Sequence, residues 1–269
     1  MAALLPHLTQ PTATRFVTRI AAAILTTGRR TVANLLRTLG DLAPGHDASY
    51  TRVLSTARWP GFRLGGTLTR LPLNHFLPDG AVHLVGDDAI DGHPGRTVSG
   101  KGRHRDPARP SHSYTAWRSG HKWVVLAVRV KSPFATRRWA LPVLIDLYRT
   151  PEVRWAEGRR HRTPAQVMSR LVRATLLQVP DRRFVFAGDS SSGTHEVTRF
   201  GHRHRERLTL VRKCHPDVTL FAPPPPDTGT GRPRVKGAAC PNPAKRRRPR
   251  SGPASAWPGT AAAPASSEP

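Results

Sequence analysis

The chain has 269 residues, room for one large domain or a core with a smaller helical part. Its 43 Lys+Arg against 17 Asp+Glu give a formal charge of +26, an excess that repels itself in a compact state and is usually met by a polyanion, nucleic acid first among them; a protein that only coats nucleic acid, or drift toward GC-rich codons, would give the same surplus. Only Cys214 and Cys240 are present, which excludes a disulfide framework and a cysteine zinc site, and with no apolar run of about 18 residues and no secretory leader in MAALLPHLTQ the expected location is the cytoplasm, with no membrane partner.

In chain order, Phe16, Ile20, Ala23 and Ile24, then Val32, Leu35, Leu36 and Leu39, recur at helical spacing, with Gly28 dividing the two runs and Gly40 closing the second. Asp47 is the expected N-cap of a third short helix through Tyr50, Val53 and Leu54. This helical region, residues 1–75, reads equally as a DNA-binding module and as a packing subdomain. A strand is expected over Ala81–Ile90, followed by GHPGRTVSGKGRHRD, which carries no regular pattern. Trp123–Val130 and Ala140–Tyr148 are β-branched runs, with Pro142 placing the second at a strand start or an unpaired edge.

Thr163-Pro164-Ala165-Gln166 then combines an N-cap, a proline at the first helical position and a glutamine at the third, and Val167, Met168, Leu171, Val172, Thr175 and Leu176 line one face behind it. Arg183–Gly188 predicts a short buried strand, Thr194–Arg207 a helix weakened by Gly201, and Leu208–Arg212 a last strand. Residues 76–222 thus form an α/β core. From Pro223 onward the Pro, Arg, Ala and Ser composition cannot build a core, so 223–269 is expected to be a disordered tail.

Three strands, a helix, a strand, a helix and a strand predict a ribonuclease-H-like mixed sheet flanked by helices, in which the first and fourth strands are neighbours. Asp87 and Asp88 lie on the first strand and Asp189 follows the fourth, so carboxylates about a hundred positions apart are expected to meet at one sheet end. Hard oxygen ligands so grouped hold Mg²⁺, and two such ions activate a nucleophile and stabilise a leaving oxygen in phosphodiester chemistry. Each aspartate alone also reads as a turn or cap residue. Asp91 with Gly92 reads more simply as a turn, and Asp146 lies in a strand without a matched partner. Lys101, Arg103, His104 and Arg105, beside the acidic strand, are candidate contacts to a DNA backbone. Gly95 to Lys101 fits seven places of a nucleotide loop, but Gly102 stands where its Ser or Thr should be, so a basic loop is expected instead.

The stretches LVGDDAIDGHPG, SGKGRHRD, SHSYTAWRSGHKWVVLAV, FATRRWALPVL, RRFVFAGDSSSGTHEV and GRPRVKG, with VLSTARW before them, resemble the DDE insertion-sequence transposases, in particular the group with a β-strand insertion late in the nuclease fold. The resemblance covers residues 15–237. It implies a DNA transposase that cuts double-stranded DNA at element ends and joins it to a target with Mg²⁺ or Mn²⁺. It maps the first aspartate to Asp87 or Asp88, Asp88 favoured, and the second to Asp189. Its third member, a glutamate on a helix beyond the last strand seen here, has no counterpart: Glu196 and Glu206 come too early and Glu268 lies in the tail. A truncated or frameshifted, impaired copy is the expectation, with a second copy or a full-length transposase as protein partner. A non-catalytic DNA-binding product and a basic nucleic-acid-binding protein are the alternatives.

Overall fold

The computed structural model describes residues 2–106, 115–188, 194–212, 218–226, 229 and 234–240. The chain divides into two compact units, Met1–Lys213 and Cys214–Pro269.

The first unit opens with helices α1 (Gln10–Leu25), α2 (Val32–Leu39) and α3 (Asp47–Ser55), which pack on one another. The cap of α3 is His46, whose Nδ1 accepts from Ala48 N at 3.1 Å, so Asp47 sits in the first turn and not at the cap. The side chain of Arg19 donates to Tyr50 O at 3.1 Å, and Phe16 meets Trp59 edge-on at 5.3 Å. A further helix, α4 (Gly61–Phe76), belongs with the sheet, against which it packs at β4 and β3.

The sheet has six strands: β1 (Val82–Gly92), β2 (Gly102–Arg105), β3 (Trp117–Lys131), β4 (Arg138–Tyr148), β5 (Phe184–Gly188) and β6 (Leu208–Arg212). Its order is β2-β3-β1-β5-β6, with β4 also paired to β3. β1, β3 and β4 are antiparallel, whereas β5 and β6 run parallel to β1, reached through α6 (Pro164–Gln178) and α7 (His195–Arg203). This is the ribonuclease-H-like arrangement that the element order predicts. Two features differ from the sequence reading. The stretch after β1 contains a strand, β2, which pairs with Trp117–Gly120 of β3, and Asp91 lies within β1, beyond which the turn begins. Pro142 sits beside the register shift at Leu126/Ala127, on a strand paired only to β3 among the described residues.

Alternation decides which side is core. Val82 and Leu84 of β1, Val124 to Val130 at every second place of β3, Phe184 and Phe186, and Leu208 pack with Val167, Met168, Leu171, Val172 and Leu176 of α6. The α6 start is fixed by the reciprocal cap that its sequence predicts: Thr163 Oγ1 accepts from Gln166 N at 3.2 Å, and Gln166 Oε1 accepts from Thr163 N at 3.1 Å. Arginines close the other ends. Arg182 donates to the carbonyls of Leu77, Pro78 and Gly80, Arg207 to those of Leu176 and Val179, and Arg70 to that of Gln178. Such contacts satisfy carbonyls that a helix end leaves open.

In the second unit, Phe221 forms an isolated antiparallel bridge with Ala239, supported by Ala222 N to Ala238 O at 2.8 Å and Cys240 N to Leu220 O at 2.8 Å. No helix among the described residues is long and apolar enough to cross a membrane.

At Gly120, β3 approaches the β1 backbone too closely to leave room for a side chain. A Cβ there would stand 2.0 Å from the Asp91 carbonyl oxygen, a backbone atom that cannot swing aside. Gly120→Ala is therefore expected to lower stability by about 1–3 kcal/mol, the usual cost of overpacking, read as a lower denaturant midpoint; an unchanged midpoint would contradict so tight a β1–β3 contact.

Candidate active site

The candidate site grows out of the register between β1 and its two neighbours. Gly86 pairs with Gly188, the last residue of β5, and Asp87 and Asp88 follow it directly. A Cβ on Gly86 would meet Met168 Cε at 2.5 Å and Phe186 at 2.8 Å, so glycine is what lets α6 close over the strand where its pairing with β5 stops. Asp189, the expected second aspartate, is bonded to Gly188 but lies outside the described residues.

Successive strand residues point to opposite faces, so Asp87 and Asp88 are not equivalent. Asp88 shares the face of Leu84 and Gly86, the one that packs on α6. Its Oδ2 lies 3.1 Å from Lys122 Nζ, with the two side chains only 20% and 19% exposed. Asp87 is exposed, and its Oδ1 accepts from Asp88 N at 2.8 Å. Lys122 was not singled out by the sequence, because its role comes from a diagonal cross-strand position: it pairs with Ile90 while Val124 pairs with Asp88. It also lies 6.0 Å from the centre of the Tyr148 ring. The Tyr148 hydroxyl meets His161 Nε2 at 3.2 Å, and burial, then Glu152, hold its pKa above the ordinary phenol value.

The basic residues proposed beside the acidic strand separate into different environments. Lys101 donates to Gly95 O at 2.6 Å and closes the loop between β1 and β2. That loop joins two strands and leads into no helix, so it is not a nucleotide cradle. Arg103 is exposed, with its guanidinium 5.3 Å from the centre of the Trp117 ring, and Arg105 is exposed on the same strand. His104 alternates inward: it is 6% exposed, its ring is 5.7 Å from Tyr148, and its Nε2 is buried without a hydrogen-bond partner. Among the described residues, no three His, Cys, Asp or Glu side chains converge as a metal group. What the described chain offers a hard divalent ion on the α6-covered face is the Asp88 carboxylate, partly sheltered and already holding one cation, the Lys122 ammonium. That is donor chemistry a divalent ion would use, with water and substrate oxygens completing its shell.

Burial, then the positive charge of Lys122, hold the His104 imidazole below its ordinary value of 6.5, against the opposing pull of the Gly120 backbone and of Asp88. A depressed folded value means that the unfolded chain binds this proton more readily. The ring therefore contributes stability present above pH 6.5 and lost as pH falls through the folded value. Unfolding midpoints taken from neutral pH down to about 5 are expected to fall less steeply in His104→Phe than in the parent chain; equal slopes would contradict the assignment.

Comparison with known proteins identifies a family. The family model described as DDE superfamily endonuclease matches residues 3–263, a span that includes the Pro- and Arg-rich segment. Among curated proteins, none matches the chain. A solved structure similar in part is the cryo-EM structure of a piggyBac transposase synaptic complex with hairpin DNA, at 13% identity and a TM-score of 0.40, covering 78% of this chain. The chain spans 43% of the length of that transposase. With a family model matched over nearly all of its residues, the chain belongs to the DDE superfamily endonucleases.

Proposed function

We propose that the chain acts on double-stranded DNA as a transposase-type endonuclease, cutting and joining strands at the ends of an insertion element, in the cytoplasm and as part of an assembly with a second copy or a full-length transposase. The observation that carries the reading is the Gly86–Gly188 register, which sets the end of β5, and with it the residue before Asp189, against the root of the Asp87–Asp88 pair. Endonucleases of the DDE superfamily use divalent metal ions; here Asp88 and Asp189 would be the ligands of Mg²⁺ or Mn²⁺, with Asp87 the alternative on β1. Such an ion, when bound, activates the attacking oxygen and stabilises the leaving one.

The chain's own residues then divide the work. The Asp88 carboxylate supplies a charge that is partly dehydrated and therefore strong. Lys122 neutralises it before an ion arrives and is free to turn to a phosphate afterwards. Arg103 and Arg105 present exposed cations on β2 for the DNA backbone, Lys101 closes the loop that leads into that strand, and buried His104 fixes β2 against Tyr148. In this sequence the one glutamate after β6 is Glu268, which lies outside the described residues and 56 positions beyond the last strand residue, Arg212. By itself the chain is accordingly expected to nick slowly.

Mn²⁺ titration of the whole chain tests the reading. Asp88→Asn and Asp189→Asn are each expected to weaken binding by roughly tenfold or more, comparable with losses in metal-site variants, while Lys122→Met, which removes the competing cation, should strengthen it. Mn²⁺ binding indifferent to both asparagine variants would overturn the site. On DNA carrying element ends, trace Mn²⁺-dependent nicking is expected; vigorous strand transfer by the purified chain would contradict the argument from the missing glutamate.

A further inference from the structure

Six arginines surround a cavity of about 500 Å³ beside the end of β4. Arg149 follows that strand, Arg154 stands on α5 (Pro151–Ala156), Arg159, Arg160 and Arg162 lie between α5 and α6, and Arg170 projects from α6. Two carboxylates oppose them. Asp146 approaches Arg170 at 3.5 Å, and Glu157 pairs with Arg149 and, at 3.5 Å, with Arg154. Glu152, the acid on α5 itself, does not line the cavity, and its own backbone N–H and the Thr150 hydroxyl hold its pKa below the ordinary carboxylate value. The cavity keeps a clear positive surplus, and Arg159 and Arg160 are exposed.

Its place in the sheet relates it to the aspartates. Asp88 pairs with Val124, and Val124 pairs with Asp146, so the three share one face across adjacent strands. Two strand spacings separate Asp88 from Asp146, about 10 Å. Lys122 and Tyr148, also paired, bridge the interval, and Tyr148 reaches His161 in the segment between α5 and α6. Cations therefore continue from the carboxylate to the cavity without a change of face.

We infer that this arginine cavity grips the phosphodiester backbone of the DNA strand lying over Asp88, about three nucleotides along at 3.4 Å per nucleotide. The inference rests on the proposed DNA-handling function and adds a second contact region to it. Chemistry selects phosphate: every cation in the wall is a guanidinium, whose planar fork matches phosphate oxygens in pairs. Chemistry also selects a polymer over a free nucleotide. Among the described residues Leu147 is the one apolar side chain lining the cavity, with no aromatic ring beside it, whereas a pocket for a base has predominantly apolar walls.

The test is anisotropy of a labelled random-sequence duplex with the full chain, in EDTA, across a salt series. Arg159→Ala/Arg160→Ala/Arg162→Ala is expected to reduce the magnitude of the log-affinity against log-salt slope by about 2–3, at 0.9 per phosphate contact, and the matching triple lysine variant to retain most of it. Thermal unfolding checks that each variant folds, and Arg160→Glu, a single exposed change, carries the same readout if the triple alanine variant does not. Parent-like slopes in the alanine and glutamate variants, with the parent binding DNA, would overturn the cavity's role and leave the proposed function standing. A parent chain that binds no duplex would overturn both. Inorganic pyrophosphate competing at equal phosphate concentration would assign the cavity to a small free anion and overturn the backbone assignment.

Discussion

The parallel pairing of β1 with β5 is the constraint on which the rest depends. A strand bonded on one side to its antiparallel neighbour β3 and on the other to β5 brings residues a hundred positions apart to one sheet end. That pairing is not local. It requires the chain to pass from β4 through α6 and return, so the α6 cap, its apolar face and the bare Cα of Gly86 beneath Met168 are conditions for the acidic end to exist. Sheet register then assigns direction: Asp88 turns to the helix-covered face and Asp87 away from it.

Charge in this protein is not one quantity. Part of the surplus is structural: Arg70, Arg182 and Arg207 spend their guanidinium groups on main-chain carbonyls at helix ends and links. Lys122 is committed to Asp88, and Arg149 and Arg154 to Glu157. Others face outward, among them Arg103 of β2 and Arg159 and Arg160 between α5 and α6. Net charge foresees a partner of opposite sign, but only the pairing in three dimensions separates arginines that hold the fold from those that face outward.

Much of the fold was legible because it is written in local patterns. The β-branched runs of β3 and β4, the capping box of α6 and the short apolar stretches of β5 and β6 each carry their own signal. The helix α4 carries no such signal, since Gly65, Gly66 and Pro72 spoil a helical pattern whose stability comes from packing on the sheet. Strand β2 is silent in the sequence for a related reason: Gly102-Arg103-His104-Arg105 has no apolar alternation, and its inward residue is a histidine. At the site, Asp87 and Asp88 stand out because acids are scarce in so basic a chain. Lys122, Tyr148 and His161 do not, because nothing along the polymer announces which residues a sheet will set side by side. The arginine cavity is assembled from a strand end, a six-residue helix, a link and a longer helix, and so has no sequence signature at all.

The proposed site requires Asp88, just beyond the last β1–β5 pair, and the residue after β5 to share one divalent ion. Fe²⁺ placed in that site with ascorbate and peroxide generates hydroxyl radicals that cut the nearest main chain, and the cut positions can be read by mass spectrometry. The account predicts two clusters of cuts, around Gly86–Asp88 and around Gly188–Asp189, both suppressed by excess Mg²⁺. Cuts confined to one of these segments, or centred on the histidines of α7 and the residues after it, would contradict it.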